Sequence, residues 1–165
     1  MKKILATNPN NWTALFARLA LGITIFPHGA QKLFGWFGGY GFTGTMGFLT
    51  TQAHLPWILA FLVIIIESIG ALALIFGFGT RIAAFGILAN FAGILFTTHV
   101  NNGFFMNWYV QPGKGEGIEY FILVFGLAIV ALIAGGGKAS IDAALTGNTV
   151  KLKSPMFSND KKVLA

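Results

Sequence analysis

The chain has 165 residues, 55% of them hydrophobic, and only 10% carry a charge, against about 25% in ordinary water-soluble domains. That balance excludes a solvated shell over most of the surface and makes lipid the expected solvent for most side chains. The net charge of +6 does not point to nucleic acid, because the lysines gather at the two ends, and the lack of cysteine excludes disulfides, thiol relays and Cys-ligated metal.

Residues 1–11, with Lys2 and Lys3, read as a short cytoplasmic N-terminus ahead of four apolar segments at 12–34, 55–78, 82–100 and 118–134. Each approaches the ~20 residues a helix needs to cross ~30 Å of hydrocarbon. Open strands would leave backbone groups unpaired in lipid, and the runs lack the alternation of a membrane barrel. The expected fold class is therefore all-α, an integral membrane four-helix antiparallel bundle over 12–142, followed by a polar cytoplasmic tail over 143–165. The first segment is the weakest by hydropathy, since Arg18, His28 and Lys32 interrupt it. With no uninterrupted apolar region and no small-residue cleavage site after Lys2 and Lys3, an uncleaved first helix is expected. The N-terminus, the connection ending in Arg81 and the C-terminal tail hold nearly all Lys and Arg outside the spans, which places both termini in the cytoplasm. The connections at 35–54 and 101–117 have Lys114 as their single fixed cation and are expected to face outward. Trp12, Trp36, Trp57, Trp108 and Tyr109 fall near span ends, where an aromatic ring with a polar edge suits the headgroup region.

Glu67 lies mid-span, where an ionised carboxylate costs several kcal/mol unless paired or protonated. Depth counting from the cytoplasmic side puts Arg18 roughly 8 Å in, Glu67 near ~15 Å and His28 near ~23 Å, so Arg18 and His28 are both candidate partners. Helical phase puts Arg18, Gly22, Gly29 and Lys32 on one face of the first helix, and Ala60, Glu67, Gly70, Ala71 and Leu74 on one face of the second. Small residues let membrane helices approach, so these faces are expected to meet. Gly86, Asn90, Gly93 and Thr97 stripe the third helix. At the far end His28, Gln31 and Lys32 cluster after Pro27, and with His99 and Glu119 above Glu67 they outline a polar pocket open outward. The bland reading of these groups is an ion pair, packing histidines and a lysine that snorkels. No metal site is expected from three scattered histidines.

The run His28-Gly-Ala-Gln-Lys-Leu-Phe-Gly35, Glu67 followed by Gly70, Gly79-Thr-Arg81, Gly117-Ile-Glu119 and the Gly-Lys-Ala-Ser-Ile-Asp142 motif together resemble the DoxX family from about residue 12 to residue 142. Where that family often has Gly-Pro-Gly before the last motif, this chain has Gly135-Gly136-Gly137. The resemblance implies a small four-helix protein of the bacterial inner (plasma) membrane, linked in some bacteria to membrane oxidoreductase complexes and to thiosulfate and quinone oxidoreduction.

Three readings of function follow. The first is a subunit or partner of a quinone-linked oxidoreductase system, with no resident cofactor and quinone as a diffusible ligand. Here His28, Lys32 or Arg18 would bond a quinone oxygen, Glu67 would take up protons and a partner enzyme would supply electrons. The second is a small-molecule transporter or exporter, helped by a homodimer through the glycine-rich faces. The third is a membrane scaffold whose buried polar groups, with Arg81, Asn90 and Asp142, only specify helix pairing.

Overall fold

A computed structural model describes residues 2–147, with the side chains of Lys2 and Lys3 left aside. Most of the expected polar tail, from residue 148 on, lies outside the described residues. Among these the fold is all-α: α1 (Lys2–Leu5), α2 (Trp12–Phe34), α3 (Gly41–Thr51), α4 (Trp57–Phe76), α5 (Thr80–His99), α6 (Glu119–Ala134) and α7 (Ile141–Thr146). Three of them, α2, α4 and α5, are long and apolar enough to cross a membrane, and α6 is a shorter apolar helix of 16 residues. The mean hydropathy of α2 is 1.2 against 2.8 for α4, so the first span is the weakest, as its charges foretold.

Local signals explain the boundaries. The Asn11 side chain accepts from Ala14 N at 3.0 Å and caps α2. The helix then runs unbroken through Pro27 to Gly35, whose left-handed φ of 74° ends it. Helix α3 stands in what the sequence marked as a plain connection. Its GFTGTMGFLTT sequence has three glycines and poor intrinsic propensity, and it forms because Thr45 and Met46 are buried against α2 and α4.

Helices α2 and α5 each pack against both α4 and α6. Leu21, Ile25, Leu74, Ile87, Phe91, Phe121 and Val124 form the shared core. The contact of α2 with α4 is the closest. A Cβ on Gly29 would run into the Glu67 carbonyl, and one on Gly22 would sit 2.9 Å from the Ala71 carbonyl oxygen. Ala60, Ala71 and Leu74 are fully buried along this seam. Gly70 departs from the expected interface: a Cβ there would meet only its own helix's Ile66, and the residue lines an apolar groove between α4 and α5.

One end of the molecule is tied by Arg18, Arg81 and Asp142. The Arg18 guanidinium is 1% exposed and donates to five carbonyls. These are Leu74 at 2.9 Å and Ile75 at 2.5 Å in the last turn of α4, and Gly136 at 2.8 Å, Lys138 at 3.1 Å and Ala139 at 2.6 Å in the turn after α6. Carbonyls left open at a helix C-terminus carry the negative end of its dipole, which suits a cation. Arg81 does the same for Leu132 and Ile133 near the end of α6 and for Ile4 and Ala6. Asp142 accepts from Gly79 N at 2.8 Å and Thr80 N at 2.9 Å, capping α5.

Replacing Gly29 with alanine forces α2 and α4 apart and is expected to cost about 1–3 kcal/mol. Gly93→Ala, where an added Cβ meets nothing within 4 Å, is the matched control. Unfolding in detergent followed by circular dichroism checks the pair; equal stabilities would contradict the close approach.

Candidate functional site

The end opposite Arg18 encloses a cavity of about 360 Å³, lined by residues of α2, α4, α5, α6 and the 101–117 connection. Its chemistry begins with backbone irregularity. Helix α4 opens into a π-helical turn at Ile66–Gly70, and α5 into another at Leu95–His99. Such turns insert a residue into the ladder and re-aim side chains, and they recur at functional sites. These two carry Glu67 and His99, which both line the cavity. Hydroxyls satisfy the disturbed carbonyls, Ser68 donating to Ile64 O at 2.6 Å and Thr98 to Ile94 O at 2.7 Å.

Glu67 is 1% exposed, and its carboxylate is met from two other helices. Lys32 Nζ of α2 lies 2.5 Å from Oε2, and Asn90 Nδ2 of α5 donates to Oε1 at 3.0 Å. Lys32 remains 26% exposed, so the pair has one foot in the cavity mouth. Arg18, entertained as the partner of Glu67, does not reach it, because its donors are taken by the five carbonyls at the other end. Lysine near the C-terminal end of α2 turns inward to the carboxylate, since an uncompensated buried charge costs more than ordering the lysine stem.

His28 lines the cavity one turn of α2 below Lys32, and His99 packs its ring 4.7 Å from that of Phe121 with Nδ1 2.5 Å from Thr98 Oγ1. Gln31 turns away, donating to Phe37 O at 3.3 Å. Glu119 stands in the first turn of α6, where the helix dipole favours a carboxylate, and accepts from Met106 N at 3.2 Å and Trp108 Nε1 at 3.3 Å. Besides Glu67, the carboxylate that lines the cavity is Glu116 rather than Glu119, and it also accepts from Asn107 N at 2.6 Å. The polar cluster drawn from the sequence thus divides: His28, Lys32, Glu67 and His99 line one cavity, with Asn90 behind Glu67, while Arg18, Arg81 and Asp142 knit the opposite end.

Sequence reasoning missed Tyr120. It lines the cavity, tilts against Phe91 with ring centroids 6.2 Å apart, and its buried hydroxyl has no hydrogen-bond partner among the described residues. A buried hydroxyl without a partner loses its hydration for nothing and is uncommon in a native fold. The visible signal was its place directly after Glu119 at the start of an apolar helix.

The DoxX family model matches residues 13–100, which include Lys32, Glu67, Asn90 and His99. The chain belongs to the DoxX family. It is also 28% identical over 148 residues to the Bacillus subtilis (strain 168) protein named "Putative oxidoreductase CatD", an alignment covering 90% of this chain and 89% of that one. No solved structure matches.

Lys32→Met leaves Glu67 buried without its cation and is expected to destabilise this DoxX protein by about 2–3 kcal/mol. Adding Glu67→Gln, which keeps an acceptor for Asn90, should return stability to within ~1 kcal/mol of the parent. Thermal or denaturant unfolding in detergent checks the cycle, and additive losses would show that the two side chains do not pair.

Proposed function

We propose that this DoxX protein binds the head group of a quinone in the Glu67 cavity and serves as the membrane component of an oxidoreductase system. The unpartnered Tyr120 hydroxyl carries the reading. Its ring lines a cavity bordered by other aromatic rings while its hydroxyl is buried without an acceptor, and a quinone carbonyl oxygen is an apolar-soluble acceptor that would satisfy it on entering. Phe91 and Phe121 supply flat apolar walls, and the Lys32 ammonium at the mouth suits the negative charge that grows on a quinone oxygen during reduction. Conversion of quinone to quinol consumes two electrons and two protons. In this reading a partner oxidoreductase delivers the electrons, and Glu67 and His28 pass the protons. The oxidoreductase name of the Bacillus subtilis relative agrees with this class of chemistry.

The reading includes an orientation. All four of α2, α4, α5 and α6 cross the bacterial inner membrane as an antiparallel bundle, the Arg18 end with both termini lies in the cytoplasm, and the cavity lies toward the outer leaflet. The lysine and arginine bias of the connections supports it. α6 spans about 24 Å at ~1.5 Å per residue, and the turn at Gly135–Gly137 and the 101–117 connection bring it to membrane thickness.

Tyr120→Phe separates ligand binding from structure. Removing an unsatisfied hydroxyl leaves the melting temperature equal or higher, whereas affinity for 2,3-dimethoxy-5-methyl-1,4-benzoquinone or menadione, read by equilibrium titration of the purified protein, falls about tenfold. Unchanged affinity for both would remove the quinone from this cavity.

The chain has no native cysteine, which makes the orientation directly testable. Lys114→Cys, in the distal connection, is expected to react with a membrane-impermeant maleimide in intact cells, and Asn10→Cys only after the membrane is opened. The reverse pattern would invert the topology.

A further inference from the structure

A second cavity, an apolar cleft of about 340 Å³, runs along the outside of the molecule between α4 and α5. Leu59, Leu62, Val63 and Ile66 form one wall, and Asn90, Gly93 and Thr97 the other. It lies in the half of the molecule that holds the Glu67 cavity, and the two spaces share a partition. Ile94 lines both, and Asn90 lines the cleft while its amide donates to Glu67 on the cavity floor.

Two features suit the cleft to a chain lying along it. Gly93 holds it open, since a Cβ there would have no neighbour within 4 Å, and Thr97 turns its hydroxyl back to the Gly93 carbonyl at 2.8 Å and so presents its methyl face. The walls are otherwise β-branched and leucine side chains, without a charge. A groove of this kind beside a head-group site, opening where lipid tails run, fits the tail of an amphiphile whose polar end is next door.

We infer that the ligand is a prenylated quinone and that the cleft between α4 and α5 holds the first part of its polyprenyl tail, which passes the partition at Asn90 and Ile94. This rests on the quinone reading of the Glu67 cavity and adds the tail to it. The tail enters from lipid, so the gain comes from packing in a fixed groove rather than from escape from water. Tailed and tail-less quinones therefore differ by about tenfold in affinity rather than by the full transfer effect of the chain.

The test uses the full chain in nanodiscs of one phospholipid composition and compares a four-prenyl ubiquinone with its tail-less head group, affinities being referred to the quinone concentration within the bilayer. Gly93→Leu fills the cleft from a position that touches nothing else and lies outside the Glu67 cavity. Support is an approximately tenfold preference for the tailed form in the parent, abolished by Gly93→Leu with head-group affinity unchanged. Saturable binding of both forms with equal affinity, or a preference that survives Gly93→Leu, overturns the tail site while leaving the head-group reading in place. Binding of neither form overturns both. A Gly93→Leu protein whose melting temperature falls is replaced by Thr97→Leu, which narrows the same cleft from the next turn, and the same outcomes apply.

Discussion

A charge enclosed by lipid-facing helices has no water to solvate it, so every ionised group in the interior must be answered by protein atoms or be driven from the charged state. Arg18 and Glu67, each 1% exposed, meet that demand in opposite ways. Arg18 is surrounded by carbonyls that belong to a helix end and a tight turn, which are oriented by the backbone and cannot move off. Glu67 is held by two side chains, and one of them, Lys32, keeps a quarter of its surface open. The first arrangement fixes a structure. The second leaves a charge pair with one partner open to the cavity mouth.

The placement of Glu67 depends on how near the backbones come. Gly29 lets α2 press on the carbonyl of Glu67 itself, so the carboxylate leaves from a backbone that is clamped. From the π turn at Ile66–Gly70 the side chain then reaches both Lys32 of α2 and Asn90 of α5. A regular helix would point it a fraction of a turn elsewhere, because an inserted residue rotates all that follows it. The second π turn performs the same service for His99. Two helices diverge from regularity, α4 at its middle and α5 at its end, each at a titratable residue that lines the cavity.

Much of this was legible in the residues. Segment boundaries came within two residues for each of the four apolar helices, since hydropathy and the Gly35 and Gly77–Gly79 breakers act locally. The polar character of α2 and the importance of Glu67 followed from the cost of burying charge. What the sequence withheld was azimuth. Depth counting set Arg18 and Glu67 about one turn apart and so made them plausible partners, but the carbonyl-rich turn after α6 exists only once residues 118 positions away fold back onto Arg18. The π turns are equally invisible, being products of tertiary packing, one on a run of isoleucines and the other on Leu95–His99, with no proline at either. Tyr120 stayed hidden because an unpaired hydroxyl is a property of the assembled cavity. Helix α3 stayed hidden because its glycines argue against helix until Thr45 and Met46 find a surface to bury on.

The two ends of the molecule differ in how they would yield. At the Arg18 end, breaking the structure means stripping a buried guanidinium of five acceptors and the start of α5 of its Asp142 cap, and, nearer the surface, the Arg81 guanidinium of four. At the cavity end the ties are the Lys32–Glu67 pair, the Asn90 amide and the bonds of the 101–117 connection to Glu116 and Glu119, several of them at exposed positions where water competes. Local opening follows the weaker set of contacts, so it is the cavity end that parts while the Arg18 end holds the helices in register. Admission of a molecule to the Glu67 cavity therefore needs no unpacking of the core formed by Leu21, Ile25, Ile87 and Val124.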